Sequence, residues 1–156
     1  MTPTNRYRVG IIGLPRSGTT WIGKVFDSHP TVFYQHEPDY SLRLPCVPYM
    51  ASKTHSEVWK PYIEKWLLSL DQQFDVRTVG KGPCFKKSYD TGIDKLANLK
   101  RARLLLSKCI ARVTKLNLTI PLSDAKLSKT ITVWKSVEML GRLGCLSTAA
   151  PRDRFI

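Results

Sequence analysis

A glycine-rich turn between two apolar segments constrains the fold of this 156-residue chain more than any other feature. The segment YRVGIIG, residues 7–13, is short, rich in β-branched residues and ends in glycine, which indicates a buried strand. The segment TTWIGKVFDSHP, residues 19–30, predicts a helix that Pro30 terminates. Four apolar residues share one face of that helix: Trp21, Ile22, Val25 and Phe26. Strand, glycine turn and helix in this order predict an α/β fold with a parallel sheet flanked by helices.

The turn itself has the spacing of a loop that binds phosphate. Gly13 and Gly18 are separated as in a Walker A loop, but Thr19 occupies the position of the Walker lysine. Backbone N–H groups from Arg16 to Thr20 would converge on an anion at the positive end of the helix, without a metal. The Arg16 guanidinium and the Thr19 and Thr20 hydroxyls would add side-chain donors. A glycine turn that binds nothing is the alternative.

Two further strands and one long helix follow from the apolar patterns. TVFYQHE, Thr31–Glu37, and KTITVWKS, Lys129–Ser136, are predicted strands, and Glu37 falls at the carboxyl end where open α/β sheets bind ligands. A helix is predicted from apolar residues at helical spacing: Ala102, Leu105, Leu106, Cys109, Val113 and Leu116. The final RFI starts another strand, so we expect one domain, residues 1–156, whose sheet is incomplete at the C-terminus.

The charge favours acidic partners. The net charge is +13, and residues 77–115 contain eleven basic residues against Asp90 and Asp94. A solvated helix face explains this segment better than specific nucleic-acid binding, because aromatic residues do not alternate with the charges. The N-terminus lacks the apolar core of a signal peptide, no segment is long enough to span a membrane, and the four cysteines have no metal-binding spacing. We therefore expect a cytoplasmic protein.

The block RSGTTWIGKVFDSHPTVFYQHEPD resembles the opening of carbohydrate and bacterial sulfotransferases that use 3′-phosphoadenosine-5′-phosphosulfate (PAPS). GLPRSGTTW is similar to their 5′-phosphosulfate loop, although the cytosolic class usually has lysine where this chain has Arg16. The resemblance implies a P-loop-like sulfotransferase fold and PAPS as cosubstrate, with no metal. It also implies that PAPS is bound by Pro15, Arg16, Ser17, Gly18, Thr19, Thr20 and Trp21.

The resemblance assigns catalytic roles to Arg16, Glu37 and Lys135. Tyrosylprotein sulfotransferases have a general base at the position of Glu37; ion pairing of Glu37 with Arg16, or capping of a neighbouring helix, is the alternative. Lys135, in VWKSVEML, corresponds to a strand-end lysine beside the sulfuryl group, and a solvated lysine is its alternative. Val137 stands where the cytosolic class has its catalytic histidine, which excludes a histidine base at that site.

The implied reaction is transfer of a sulfuryl group from PAPS to an acceptor hydroxyl or amine, with a glycan as one candidate acceptor. The family binds the 3′-phosphate through residues expected beyond Ile156, so the resemblance covers about the first half of a typical catalytic domain. A truncated, inactive nucleotide-binding remnant or a basic interaction protein is therefore the alternative. We also expect the open edge of the sheet to allow self-association. A P-loop kinase is disfavoured because Thr19 replaces the lysine.

Overall fold

The computed structural model describes residues 7–78, 83–90, 92–114, 119–121 and 130–156. The strands are β1 (Arg8–Ile12), β2 (Val32–His36), β3 (Gln73–Asp75), β4 (Thr119–Pro121), β5 (Ile131–Ser136) and β6 (Arg154–Phe155). The α-helices are α1 (Thr19–Ser28), α2 (Pro38–Ser41), α3 (Ser56–Gln72), α4 (Ala97–Thr114) and α5 (Leu143–Ala149). Short 3₁₀ turns cover Lys53–His55, Val76–Thr78, Gly92–Lys95 and Leu140–Arg142.

Four of the strands form one parallel sheet in the order β2-β5-β1-β6. The register places Lys135 of β5 opposite Ile11 of β1 and opposite His36 of β2. Because all four strands run in the same direction, the carboxyl ends of β1, β2 and β5 meet at one edge of the sheet. The predicted α/β fold with a parallel sheet flanked by helices is confirmed.

Helices cover both faces of this sheet. On one face, Ile22 and Phe26 of α1 pack beside Val133 of β5. On the other face, α3 and α5 contribute to the core that encloses Trp134, whose side chain is fully buried. Successive residues of a strand point to opposite faces, so Lys135 returns to the face that α1 covers. The carboxyl end of β5 therefore presents a cation next to the loop that precedes α1.

The prediction of one apolar face on α1 was half wrong. Ile22 and Phe26 contact the sheet, whereas Trp21 is 73% exposed and Val25 is 51% exposed. The four side chains span a wide arc of the helix, and a single sheet covers only part of that arc. Trp21 and Val25, one turn apart, are left at the surface beside the glycine loop.

The predicted long helix is confirmed as α4, but the apolar residues predicted to share one of its faces are exposed where the structure describes them. In α4 the buried side chains are Leu104 and Ala111, while Leu106 is 63% exposed and Val113 is 83% exposed. Of the other predicted positions, Ala102, Leu105 and Cys109 are exposed, and Leu116 lies outside the described residues. Periodicity identified residues that share a face but could not show which face contacts the protein.

A buried ionic network closes the opposite, amino-terminal edge of the sheet. Arg8 donates to Asp71 at 2.6 Å and to Asp153 at 3.3 Å. Thr132 donates to the other oxygen of Asp71 at 3.1 Å. The network joins β1, β5 and the end of α3, and it leaves the carboxyl edge as the place where the loops converge.

Residues 83–90 pack on the side of β2 that faces away from β5. Ser88 N–H donates to the carbonyl of Pro30 at 3.0 Å, and Tyr89 donates to the carbonyl of Val32 at 3.3 Å. Lys87 is buried at the end of α1, where it contacts the Asp27 carboxylate at 3.0 Å. A cation is favourable at the C-terminus of a helix, so this lysine fixes the segment to α1.

Candidate functional site

The loop between β1 and α1 is shaped to expose its backbone. Gly18 has a φ of 82° and precedes α1, and no described side chain caps the helix. The first-turn N–H groups of an uncapped helix lack intrahelical partners and carry its positive dipole. At Gly13 a Cβ atom would lie 2.7 Å from Ser17 Oγ and 2.8 Å from Thr19 Cγ2, so glycine lets both side chains pack closely against this position. Ser17 N–H donates to the Leu14 carbonyl at 3.1 Å and Trp21 N–H donates to the Gly18 carbonyl at 2.9 Å, so the described donors left for an anion are the N–H groups of Gly18, Thr19 and Thr20.

The loop is connected to the strand that carries Lys135. Gly13 N–H donates to the carbonyl of Ser136 at 3.4 Å, immediately after the paired segments of β1 and β5 end. Arg16, at the tip of the loop, is exposed. Lys135, by contrast, has a side chain that is only 3% exposed. One cation of the site is therefore exposed to solvent and the other is buried in the protein.

Lys135 and Glu37 form an ion pair at the carboxyl edge. Lys135 Nζ donates to Glu37 Oε1, and the Glu37 carboxylate remains 35% exposed. Glu37 N–H also donates to the carbonyl of Lys135 at 2.7 Å. The two residues predicted to be catalytic are thus in direct contact, with the carboxylate open to solvent on one side.

This pairing differs from both alternatives considered for Glu37 on the basis of the sequence. The ion-pair partner is Lys135 rather than Arg16. Glu37 does precede α2, but its side chain makes no capping hydrogen bond. Lys135 is likewise buried rather than solvated. The roles of Arg16, Glu37 and Lys135 in catalysis stay predictions.

Backbone strain is concentrated in the same region. Among the described residues, the two non-glycine residues with left-handed φ are Arg16, at 67°, and Glu37, at 49°. Such conformations are unfavourable for residues with a Cβ atom and cluster at functional sites. This observation does not depend on any sequence motif. Arg16 and Glu37 are two of the three residues that were predicted from the sequence to be catalytic.

His36 and Tyr34 extend the polar surface along β2. The Tyr34 hydroxyl lies 3.2 Å from His36 Nδ1, and His36 Nε2 lies 4.0 Å from Glu37 Oε1. Burial lowers the pKa of His36, and the positive charge of Lys135 adds to this effect, although Glu37 opposes it. His36 is therefore neutral at neutral pH and is oriented by the tyrosine.

Asp39 is a buried carboxylate that the sequence analysis missed. Its Oδ2 accepts a hydrogen bond of 2.7 Å from the Ser136 hydroxyl, whose oxygen in turn accepts from the N–H groups of Glu138 and Met139. Asp39 Oδ1 is buried and has no partner among the described residues. Burial raises the pKa of Asp39, and the Ser136 bond offsets only part of this. The acidic residue two positions after Glu37 was the available signal.

The remaining predicted binding residues lie together at the start of α1. Pro15, Ser17 and Gly18 are exposed in the loop, Thr20 and Trp21 are exposed in the first turn, and Thr19 is 7% exposed. The indole of Trp21 is thus an apolar surface adjacent to the N–H donors. The arrangement can hold an anion linked to an apolar or planar group.

Comparison with known proteins gives no relative for this chain: no family model matches it, and neither the curated proteins nor the solved structures contain a match. Within the described residues, no group of three or more His, Cys, Asp or Glu side chains could hold a metal ion. No helix in that part of the chain has the length and apolar character needed to cross a membrane. The functional argument therefore depends on the geometry of the carboxyl edge.

Proposed function

We propose that the carboxyl edge of the sheet binds PAPS and transfers its sulfuryl group to an acceptor hydroxyl or amine. The observation that carries this proposal is the contact between Glu37 and Lys135 beside an uncapped glycine loop. A carboxylate and a buried cation in contact next to an anion-binding loop provide a base and an electrophilic stabiliser in one place. The parallel sheet with a glycine loop after β1 is compatible with the P-loop-like sulfotransferase fold that the motif implies.

The loop suits the phosphosulfate end of PAPS better than it suits a nucleoside triphosphate with Mg²⁺. Helix N–H groups, the Arg16 guanidinium and the neighbouring threonine hydroxyls favour a compact anion. The lysine that P-loop kinases place in the loop is replaced by Thr19. In place of that lysine, Lys135 on β5 would supply the buried cation of this site.

Glu37 and Lys135 would act on opposite ends of the reacting group. Glu37 would accept the proton of the acceptor as its oxygen or nitrogen forms a bond to sulfur. The bond between sulfur and the phosphate oxygen breaks, and the negative charge that develops on this oxygen is neutralised by Lys135. Because Lys135 is bound to Glu37 beforehand, its movement to the donor anion would also free the carboxylate to act as a base.

Calorimetry with adenosine 3′,5′-bisphosphate and with ATP tests the binding part of this proposal. We expect the bisphosphate to bind without Mg²⁺ and more tightly than ATP. Arg16→Ala should weaken binding of PAPS by about 1.5–3 kcal/mol, the value of a charge-assisted hydrogen bond. Lys65→Ala, which removes an exposed lysine of α3, is the matched control and should leave affinity unchanged. Tighter, Mg²⁺-dependent ATP binding would contradict the proposal.

Transfer of radiolabelled sulfate from PAPS to a panel of oligosaccharides, tyrosine peptides and amines tests the chemistry. Glu37→Gln should retain binding of the bisphosphate and lose transfer, because it keeps the shape but removes the base. Specific binding by the parent chain without transfer to any acceptor would favour the alternative of a nucleotide-binding remnant. Loss of both binding and transfer in Glu37→Gln would assign Glu37 a structural role.

A further inference from the structure

Helix α4 presents an apolar stripe to solvent. The stripe consists of Leu99, Leu106, Ile110 and Val113, which are 50%, 63%, 45% and 83% exposed. Their spacing along the helix places them on one side. Isolated exposed apolar residues are ordinary, but an aligned set on an 18-residue helix marks an interaction surface.

The opposite side of α4 already attaches the helix to the protein. Leu104 and Ala111 are buried there, and Lys100 forms an ion pair of 2.7 Å with Asp90. Lys100 also lies 6.0 Å from the centre of the Tyr89 ring. The stripe is therefore not needed to hold α4 in place within the described residues.

Basic residues accompany the stripe. The helix contains five basic residues and no acidic residue: Lys100, Arg101, Arg103, Lys108 and Arg112. Arg101 is exposed, and Arg103 is 48% exposed where it reaches Asp94. A helix with an apolar side and a surplus of positive charge is typical of segments that lie in the interface of an anionic membrane.

We propose that the apolar stripe of α4 docks on a lipid surface that carries anionic headgroups, with the helix parallel to the membrane plane. A second copy of the chain fits poorly, because each copy carries a net charge of +13 and would meet the same basic helix. A nucleic acid fits poorly too, since α4 contains no aromatic residue for base stacking and places leucine and valine at its exposed centre. An anionic bilayer satisfies both the charge and the apolar side chains. The docking proposal itself stands independently of the sulfuryl-transfer proposal.

Co-sedimentation of the full chain with vesicles tests the docking. We expect binding to phosphatidylcholine vesicles that contain about one third phosphatidylserine, and at least about tenfold weaker binding to phosphatidylcholine alone. Binding should weaken in about 1 M salt, where charges are screened within about 3 Å. Absence of binding to the anionic vesicles in low salt would overturn the proposal.

A matched pair of double variants separates docking from diffuse attraction. Leu106→Glu with Val113→Glu should reduce binding about tenfold or more, because charges replace the centre of the stripe. Met50→Glu with Val58→Glu changes the net charge equally at side chains that are 83% and 58% exposed elsewhere, and should have a much smaller effect. Equal losses in both variants would overturn the proposal, as would a dimer of the parent chain that only the α4 variant disrupts.

An environment-sensitive fluorophore on Cys109 provides a readout that does not depend on affinity. Cys109 is exposed on α4, and Cys46, also exposed, is distant in sequence and serves as the control site. With the other exposed cysteine replaced by serine in each case, the label on Cys109 should shift to a shorter wavelength on anionic vesicles and the label on Cys46 should not. The opposite pattern would place another surface of the protein on the lipid.

Discussion

Lys135 and Glu37 are bonded to each other twice, once between their backbones and once between their side chains. The lysine is almost completely buried, whereas the glutamate is partly open to solvent. Removing either partner leaves the other without its counter-charge in a region of reduced solvation.

A double-mutant cycle with Glu37→Gln and Lys135→Met should therefore show strong coupling. We expect each single variant to lower the free energy of unfolding, and the coupling energy to be about 1–3 kcal/mol by urea denaturation. The exposed Lys60 and Glu57 pair on α3, 3.7 Å apart, is the control and should couple by about 0.5 kcal/mol or less. Similar coupling energies in the two pairs would show that the burial of Lys135 does not strengthen its interaction with Glu37.

Arg16→Gly should stabilise the free protein while weakening anion binding. A left-handed conformation costs a residue with a Cβ atom about 1–2 kcal/mol, which exceeds the entropic cost of glycine, about 0.5–1 kcal/mol. Leu14→Gly, in the same loop but without left-handed φ, should destabilise instead. Urea denaturation measures the free energy of unfolding of both variants. Destabilisation of equal size in the two would mean that Arg16 does not keep its left-handed conformation in solution.

Gly23→Ala should disturb β2 through Tyr34. A Cβ atom at position 23 of α1 would overlap the Tyr34 hydroxyl oxygen and lie 2.7 Å from Tyr34 Cζ. Overpacking of this kind costs about 1–3 kcal/mol of unfolding free energy. In a Tyr34→Leu background the same substitution should be neutral or stabilising, because alanine is the better helix former. A thermal denaturation series on the four proteins decides between these outcomes.

Asp39→Asn should raise stability at neutral pH and lose this advantage in acid. Burial raises the pKa of Asp39 in the folded protein, so the folded state favours the neutral acid. The stabilising contribution of the carboxyl group is then fully present below its unfolded pKa, about 3.9, and is lost as the pH rises through the folded pKa. Asparagine imitates the neutral acid and can still accept from Ser136, so we expect a gain of up to about 1 kcal/mol at pH 7.

Urea denaturation of both proteins at pH 7 and near pH 3 measures this difference. The two free energies of unfolding should converge at the lower pH. A gain that is independent of pH would show that the charge of Asp39 is not its cause. Ser136→Ala provides a further check, since it should destabilise the parent more than it destabilises Asp39→Asn.

The order of elements at the site could be predicted from the sequence because it depends on local patterns. An apolar run ending in glycine predicted β1, and β-branched and aromatic residues predicted β2 and β5, each within a few residues of the observed bounds. The carboxyl ends of parallel strands must meet at one edge, which is why Glu37 and Lys135 could be expected in the same region. That their side chains touch could not be predicted, because it depends on how β5 is aligned with β2, and this register places Lys135 opposite His36.

The exposure of the helices could not be predicted in the same way. Trp21 and Val25 lie outside the contact of α1 with the sheet, and the apolar residues of α4 face away from Leu104 and Ala111. A periodic pattern in the sequence shows which residues share one side of a helix, but not which side contacts the rest of the protein. Asp39 was missed because its burial and its contact with Ser136 depend on the short helix Pro38–Ser41, which is too short to give a periodic pattern.

The position of β5 also determines when the site can form as the chain is synthesised. β1 and β2 are not neighbours in the sheet, and each pairs with β5. A nascent chain that has emerged only as far as residue 129 contains the glycine loop and Glu37, but no strand to join them. The contact between Glu37 and Lys135 spans 98 residues, so the chain must be synthesised at least through β5 before the site can form. Until then, the edges of β1 and β2 that later pair with β5 are open.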